Sequence, residues 1–299
     1  MNLKKILLAL AVSVVVCLQS FPSSAVIVSG GDSALLGYSE SDYSESDCSS
    51  KNPFELSFAK EFALLGTGIA LSGSDLILDN MMHVNRQEYY GEIYDKDDVN
   101  AFDRFFMHGY SKSLHAVSNI TLASLLVSPA LLAPLSDRSL WLTEGVMYAE
   151  TLLIANGLKE LTKLCVTRIR PYMYYGIDSA PEDKVADGDF ANSFFSGHST
   201  MAFASASFLS YTFCSLFPDS SLKIPVVAGS FSLAALTAVL RVLGGNHFAT
   251  DVITGAVVGT SVGFLVPLLH KKRAKNESRN ESTVSLCPLP LGFSICVSL

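Results

Sequence analysis

The sequence is short of charge. Only 16% of its 299 residues are Asp, Glu, Lys or Arg, against about 25% in an average soluble protein, while 49% are hydrophobic. That balance argues against an ordinary water-soluble domain and makes a membrane protein the first expectation. Any basic stripe with interleaved aromatic residues is also missing, and the formal net charge is -7, so no nucleic acid partner is expected. The six cysteines offer no CxxC pair and no metal-ligand spacing: Cys17, Cys165 and Cys214 sit in apolar segments, and Cys48, Cys287 and Cys296 stand apart. Neither a zinc site nor a dense disulfide framework is indicated.

The chain opens with Lys4 and Lys5, an apolar run from Ile6 to Leu18, and small residues at Ser23 and Ala25, the pattern of a secretory signal cleaved after Ala25. An uncleaved anchor is the competing reading of residues 1–25. Residues 26–52 are rich in Ser, Gly, Asp and Glu and carry too little apolar surface to offset their ordering entropy, so they read as a disordered acidic linker. Residues 53–112 read as an accessory helical region. Within it, Lys60, Glu61, Asp75 and Asp79 leave only 62–74 free of charge, short of the ~18–20 residues a crossing needs. Its histidines, His83 and His108, and the nearby His115 are scattered without ligand spacing and read as structural.

Charge-free apolar segments follow at 113–136, 199–218, 224–240 and 252–269, each about long enough to span the hydrocarbon. A fifth helix at 139–164 carries Glu144, Glu150 and Lys159, which in a membrane should face the bundle interior. Small residues in 252–269 recur at three- and four-residue spacing, which permits close helix contact. The fold expected is therefore all-α, a membrane-embedded helical bundle with its core at 113–270. A polar tail, 271–299, ends in an alternating segment that suits a short strand.

Three clusters carry chemistry. Arg241, His247 and Asp251 close one apolar segment and open the next; if Asp251 lies in the first turn after His247, its carboxylate can hold the imidazole in one orientation. Lys163 and Arg170 are seven residues apart, two turns on one helix face if the helix continues to Pro171. Ser196, Gly197 and His198 stand at a helix start, where backbone donors and the helix dipole favour an anion. Arginine forks bond phosphate oxygens bidentately and lysine adds a point charge, so the set reads as a phosphate site. His247, oriented by Asp251, is the candidate nucleophile, and His198, with no partner nearby in sequence, is the candidate acid for the leaving oxygen.

KLCVTRIRP, NSFFSGH and RVLGGNHFATD resemble the three motifs of the type 2 phosphatidic acid phosphatase superfamily, written KxxxxxxRP, PSGH and SRxxxxxHxxxD. The superfamily includes bacterial acid phosphatases and vanadium haloperoxidases. The resemblance implies a six-helix core and no metal or other cofactor. It also implies His247 as nucleophile with Asp251 behind it, His198 as acid, and Lys163, Arg170, Ser196, Gly197 and Arg241 on the phosphate. Phe195 stands where the pattern has proline and Leu240 where it has serine.

The function expected is hydrolysis of a phosphomonoester or diphosphate, of a membrane lipid or a small phosphoester, through a phosphohistidine. The basic cluster Lys271, Lys272 and Arg273 favours the cytoplasm. Counting back from it puts all three clusters at the outer face of a bacterial cytoplasmic membrane, facing the periplasm, provided that 54–82 does not cross. The other readings are a soluble periplasmic acid phosphatase, a haloperoxidase, and a lipid-binding or scaffold protein whose catalytic motif has decayed.

Overall fold

A computed structural model describes residues 52–75, 77 and 86–272, and the backbone of 283–289 and 292–298. The expected signal, nearly all of the acidic linker and His83 lie outside the described residues. Eight α-helices are described: α1 (Phe58–Asp75), α2 (Ala101–Phe106), α3 (Lys112–Val127), α4 (Trp141–Cys165), α5 (Glu182–Ala186), α6 (Gly197–Leu216), α7 (Lys223–Leu243) and α8 (Ala249–His270). Six of them are long and form one bundle. Near the C-terminus β1 (Thr283–Leu289) pairs antiparallel with β2 (Gly292–Ser298), Thr283 opposite Ser298.

Helix α6 is the centre, packed by α3, α4, α7 and α8. Thirteen of its 20 residues are buried, so helices surround it on nearly every side. Its seam with α8 is the closest among the described helices, by the room left at their glycines. A Cβ at Gly255 would lie 2.7 Å from the Ser196 carbonyl oxygen, at Gly259 2.1 Å from that of Thr200, and at Gly263 2.2 Å from that of Ala204. Glycine at every fourth position lets α8 lie directly on the α6 backbone. Because the contacts ascend together, the two helices run parallel and start at the same end.

The lengthened α3 (Lys112–Leu132), α7 and α8 are long and apolar enough to cross a membrane. Outward-facing Ile120, Val127, Ile224, Val239, Ile253 and Val257 give them an exposed apolar surface that water would not tolerate over such an area. The expected span at 199–218 is not among the three. Five serines and two threonines dilute α6, and its central position removes the need for a lipid-facing side.

Helix α1, within the region 53–112 expected to be accessory, packs into the core. Leu64 and Phe54 join the same buried cluster as Met147, Ile154, Phe208 and Val266. Gly68 faces Leu153 and Ile154, and Gly157 faces Leu71 and Ser72, so α1 ascends alongside α4. It begins beside His270, the last residue of α8, where Glu55 N–H donates to the His270 carbonyl at 2.8 Å. Arg86, just beyond it, already lines a cleft with Lys163 at the opposite end. Helix α1 thus runs beside α4 from the His270 end, yet it is not among the described helices long and apolar enough to cross a membrane.

Candidate functional site

The starts of α3, α6 and α8 and the ends of α4 and α7 meet at one end of the bundle. A cavity of about 290 Å³ there is lined by Lys163, Arg170, Gly197, His198, Arg241 and His247, together with His115, Lys159, Lys184 and Asp189, and on one flank by Leu122 and Met201. Six of the eight expected site residues thus share one cavity. Asp251 and Ser196 are fully buried behind it.

His247 reaches the cavity through a tight turn after α7. Gly245 has φ +68°, and a Cβ there would lie 2.4 Å from the Gly109 carbonyl oxygen, so only glycine fits. The ring's Nδ1 is 2.7 Å from the carbonyl oxygen of Ser193. A carbonyl only accepts, so Nδ1 carries the proton and Nε2 is left with its lone pair, 3.2 Å from an Arg170 amino group. Burial, then the charges of Arg170 and Arg241, hold this imidazole well below its usual pKa, which keeps it neutral.

The expected hydrogen bond from His247 to Asp251 is absent. The carboxylate stands 3.7 Å from Nδ1. It is occupied instead by the Phe248 N–H at 2.9 Å, the Ser193 hydroxyl and Arg168. As the third residue of α8 it reaches back to the N-cap amide, so it fixes the helix start and, through Ser193, the segment whose carbonyl holds the imidazole. Arg168 ties this group to the buried Asp103, whose carboxylate also accepts the Thr250 N–H at 2.9 Å.

Lys163 and Arg170 do not share a helix. Helix α4 stops at Cys165, with Val166 extended. Residues 168–170 then run beside 190–193: Arg168 N–H donates to the Ala191 carbonyl and Arg170 N–H to that of Phe190, both at 2.8 Å. Fully buried, Arg170 donates to the Asn246 carbonyl at 3.0 Å and to Asp189 Oδ1 at 2.8 Å. Asp189 would be raised by burial alone, yet Arg170, Lys184 and Lys163 hold it far below the ordinary carboxylate range. It is the internal counterion of the cavity's cations. Arg241 donates to His115 Nδ1 at 2.8 Å, and its buried Nε has no partner. A buried guanidinium that lines a cavity and keeps an unpaired N–H calls for an anion.

Ser196 caps α6 and its hydroxyl accepts the Ser199 N–H at 3.4 Å, so it supports the helix start without lining the cavity. Gly197 does line it, and a Cβ there would lie 2.5 Å from Lys159 Cδ. His198 has a partner remote in sequence: its Nε2 is 2.7 Å from Asn119 Oδ1 on α3. Asn119 also approaches His115 at 3.3 Å, so His115, read from sequence as structural, belongs to the site. His108 faces solvent and bonds only the Phe106 carbonyl. Phe195 and Leu240 are buried and contribute no polar group to the cavity.

Residues 144–275 match the family model of the PAP2 superfamily. A lipid A 1-phosphatase from Porphyromonas gingivalis is 40% identical over 79 residues, 26% of this chain and 16% of that protein. A PA-phosphatase related-family protein from Dictyostelium discoideum is 31% identical over 117 residues, 37% of this chain and 42% of that protein. The chain thus spans less than half the length of either relative. No solved structure matches it.

Proposed function

We propose that this chain, which belongs to the PAP2 superfamily through residues 144–275, is a membrane phosphatase that hydrolyses the phosphate of a lipid by way of a phosphohistidine. The observation that carries the reading is the neutral His247 with its Nε2 lone pair turned into a cavity lined by Lys163, Arg170 and Arg241. In that scheme the cations bind the phosphate and match charge in the transition state, worth several kcal/mol. His247 Nε2 attacks phosphorus, the bond to the lipid oxygen breaks, and His198 supplies that oxygen's proton. Water, deprotonated by His198, then attacks the phosphohistidine, releasing inorganic phosphate and restoring Nε2.

Leu122 and Met201 support a lipid as the substrate. They give the cavity an apolar flank on α3 and α6, beside the cations, as an acyl-bearing phosphate requires. The P. gingivalis relative is named for a lipid phosphate and points the same way. The test is phosphate release by detergent-purified protein from phosphatidate, phosphatidylglycerol phosphate, undecaprenyl diphosphate and lipid A phosphates. The wild type should release phosphate from at least one, with an acid-labile phosphoenzyme trapped on histidine. Equal release by His247→Ala would end the catalytic reading in favour of a lipid-binding protein.

We further propose that the site faces the outside of the membrane, supported by Lys271 and Lys272 directly beyond α8 at the opposite end, with Arg273 next in sequence. Residue 54 lies at that basic end. An outward site and a cleaved signal that exports residue 26 therefore exclude one another, because residues 26–52 hold no second span. Impermeant maleimide labelling in intact cells, in a cysteine-free background, decides. Ser179→Cys near the site should label and Asp219→Cys should not; the reverse would place the site inside.

A further inference from the structure

At the end opposite the cavity, three side chains from three helices converge. His270 closes α8, Glu150 sits in the middle of α4 and Glu61 in the first turn of α1. Their ligand atoms all lie within 4.8 Å of one another. His270 Nε2 is 3.1 Å from Glu61 Oε2 and 3.3 Å from Glu150 Oε2. His270 and Glu150 are fully buried, whereas the Glu61 side chain keeps 16% of its exposure.

Hydrogen bonds reach only part of this group. His270 Nδ1 lies 2.8 Å from the Val266 carbonyl, an acceptor, so Nδ1–H donates there, and Nε2 points at Glu61 Oε2 (3.1 Å, within hydrogen-bond reach) and Glu150 Oε2 (3.3 Å). Neither Glu150 oxygen has a hydrogen-bond partner. Lys60 could supply a counter-charge, but its ammonium sits at Glu55 Oε1 (3.6 Å) and the Leu269 carbonyl (3.5 Å). Three ligand atoms facing a common point, with the buried Glu150 carboxyl among them, form a site that a cation would satisfy. The imidazole's second nitrogen anchored on a backbone carbonyl is the support that metal-ligating histidines use.

We propose that Glu61, Glu150 and His270 bind a divalent transition-metal ion. Two ligand atoms on one ion at roughly 2.1 Å each are separated by about 3.0–3.4 Å, the range in which the two His270 contacts fall. An imidazole with two carboxylates suits the zinc, manganese and iron(II) class. Water reaching in past Glu61 completes the coordination. The ion fastens α1 to α4 and to the end of α8, where the Phe54 and Lys271 backbones also pair. Nothing in this assignment depends on the catalytic reading of the other end.

The test uses the full chain in detergent, stripped with EDTA and titrated with Co²⁺ while visible absorption is followed, then reloaded with Zn²⁺ and analysed by elemental mass spectrometry. The wild type should bind about one equivalent and gain thermal stability. Glu150→Gln, which keeps the shape and removes the charge, and His270→Ala should lose the cobalt spectrum and the stabilisation, and Glu61→Gln should weaken binding about tenfold or more. His247→Ala should still bind. Overturning results are wild type with no bound metal, Glu150→Gln indistinguishable from wild type, or loss of the metal in His247→Ala, which would move the ion to the cavity.

Discussion

Each end of the bundle buries a histidine whose Nδ1 is spent on a backbone carbonyl, His247 on Ser193 and His270 on Val266. What differs is the company of the other nitrogen. Around His247 stand Arg170, Arg241 and Lys163, so the missing partner is an anion; around His270 stand Glu61 and Glu150, so it is a cation. Identical rings on one helix bundle are thus given opposite tasks by neighbouring charge. Burial amplifies the contrast, because unscreened charges act across a low-dielectric interior.

The strongest blow to this contrast is His247→Ala, which should lower phosphate release by about 10³-fold or more with the fold kept by circular dichroism. Arg241→Ala comes next, at about 10²–10³-fold in kcat, because it removes the orphan Nε–H along with a charge. Gly259→Val attacks the scaffold shared by both ends: its side chain would meet the Thr200 carbonyl, and melting should show a loss of about 3 kcal/mol or complete misfolding. Asn119→Ala, which frees His198 and His115 without removing either, should cost about tenfold in kcat and reshape the pH profile. Leu240→Ser should leave kcat within about twofold, since Leu240 does not line the cavity.

The pH response sharpens the comparison further. His247 has a folded pKa below the unfolded value near 6.5, so its neutral burial contributes fully above that pH. The contribution is lost as pH falls through about 6.5 toward the folded value. Asp189, held low, adds stability that is present above about 4 and fades at still lower pH. Thermal melts from pH 7 to pH 5 should therefore show a falling Tm, with a smaller fall in His247→Gln. Vanadate or phosphate, by offsetting Arg170 and Arg241, should blunt the fall and bind with proton uptake, measurable calorimetrically in buffers of different ionisation enthalpy.

The sequence disclosed Lys163, Arg170, Arg241, His198 and His247 because they lie at short, fixed spacing around helix ends. It disclosed the seam as well, since Gly255, Gly259 and Gly263 show their period directly. Three other features required long-range contacts. His115 and Asn119 come from α3, some 80 to 130 residues away from His198 and Arg241, and no local pattern couples them. The helical reading of Lys163 to Arg170 failed at Val166 and Thr167, β-branched residues where the chain leaves α4 and runs beside 190–193. The path of α1 was hidden because its charges discourage a spanning reading, while Lys60 and Glu61 are answered by Leu269, Glu55 and His270 at one end.

The backbone seam between α6 and α8 governs what can move. His198 and the turn carrying His247 sit at the starts of two helices with no side-chain layer between them to slide. The two imidazoles are thus mounted on a single rigid strut. A bulky substrate must be admitted by yielding elsewhere, in the Leu122 and Met201 side chains and in the short turns between 172 and 191, leaving the distance between the two imidazoles unchanged from one turnover to the next.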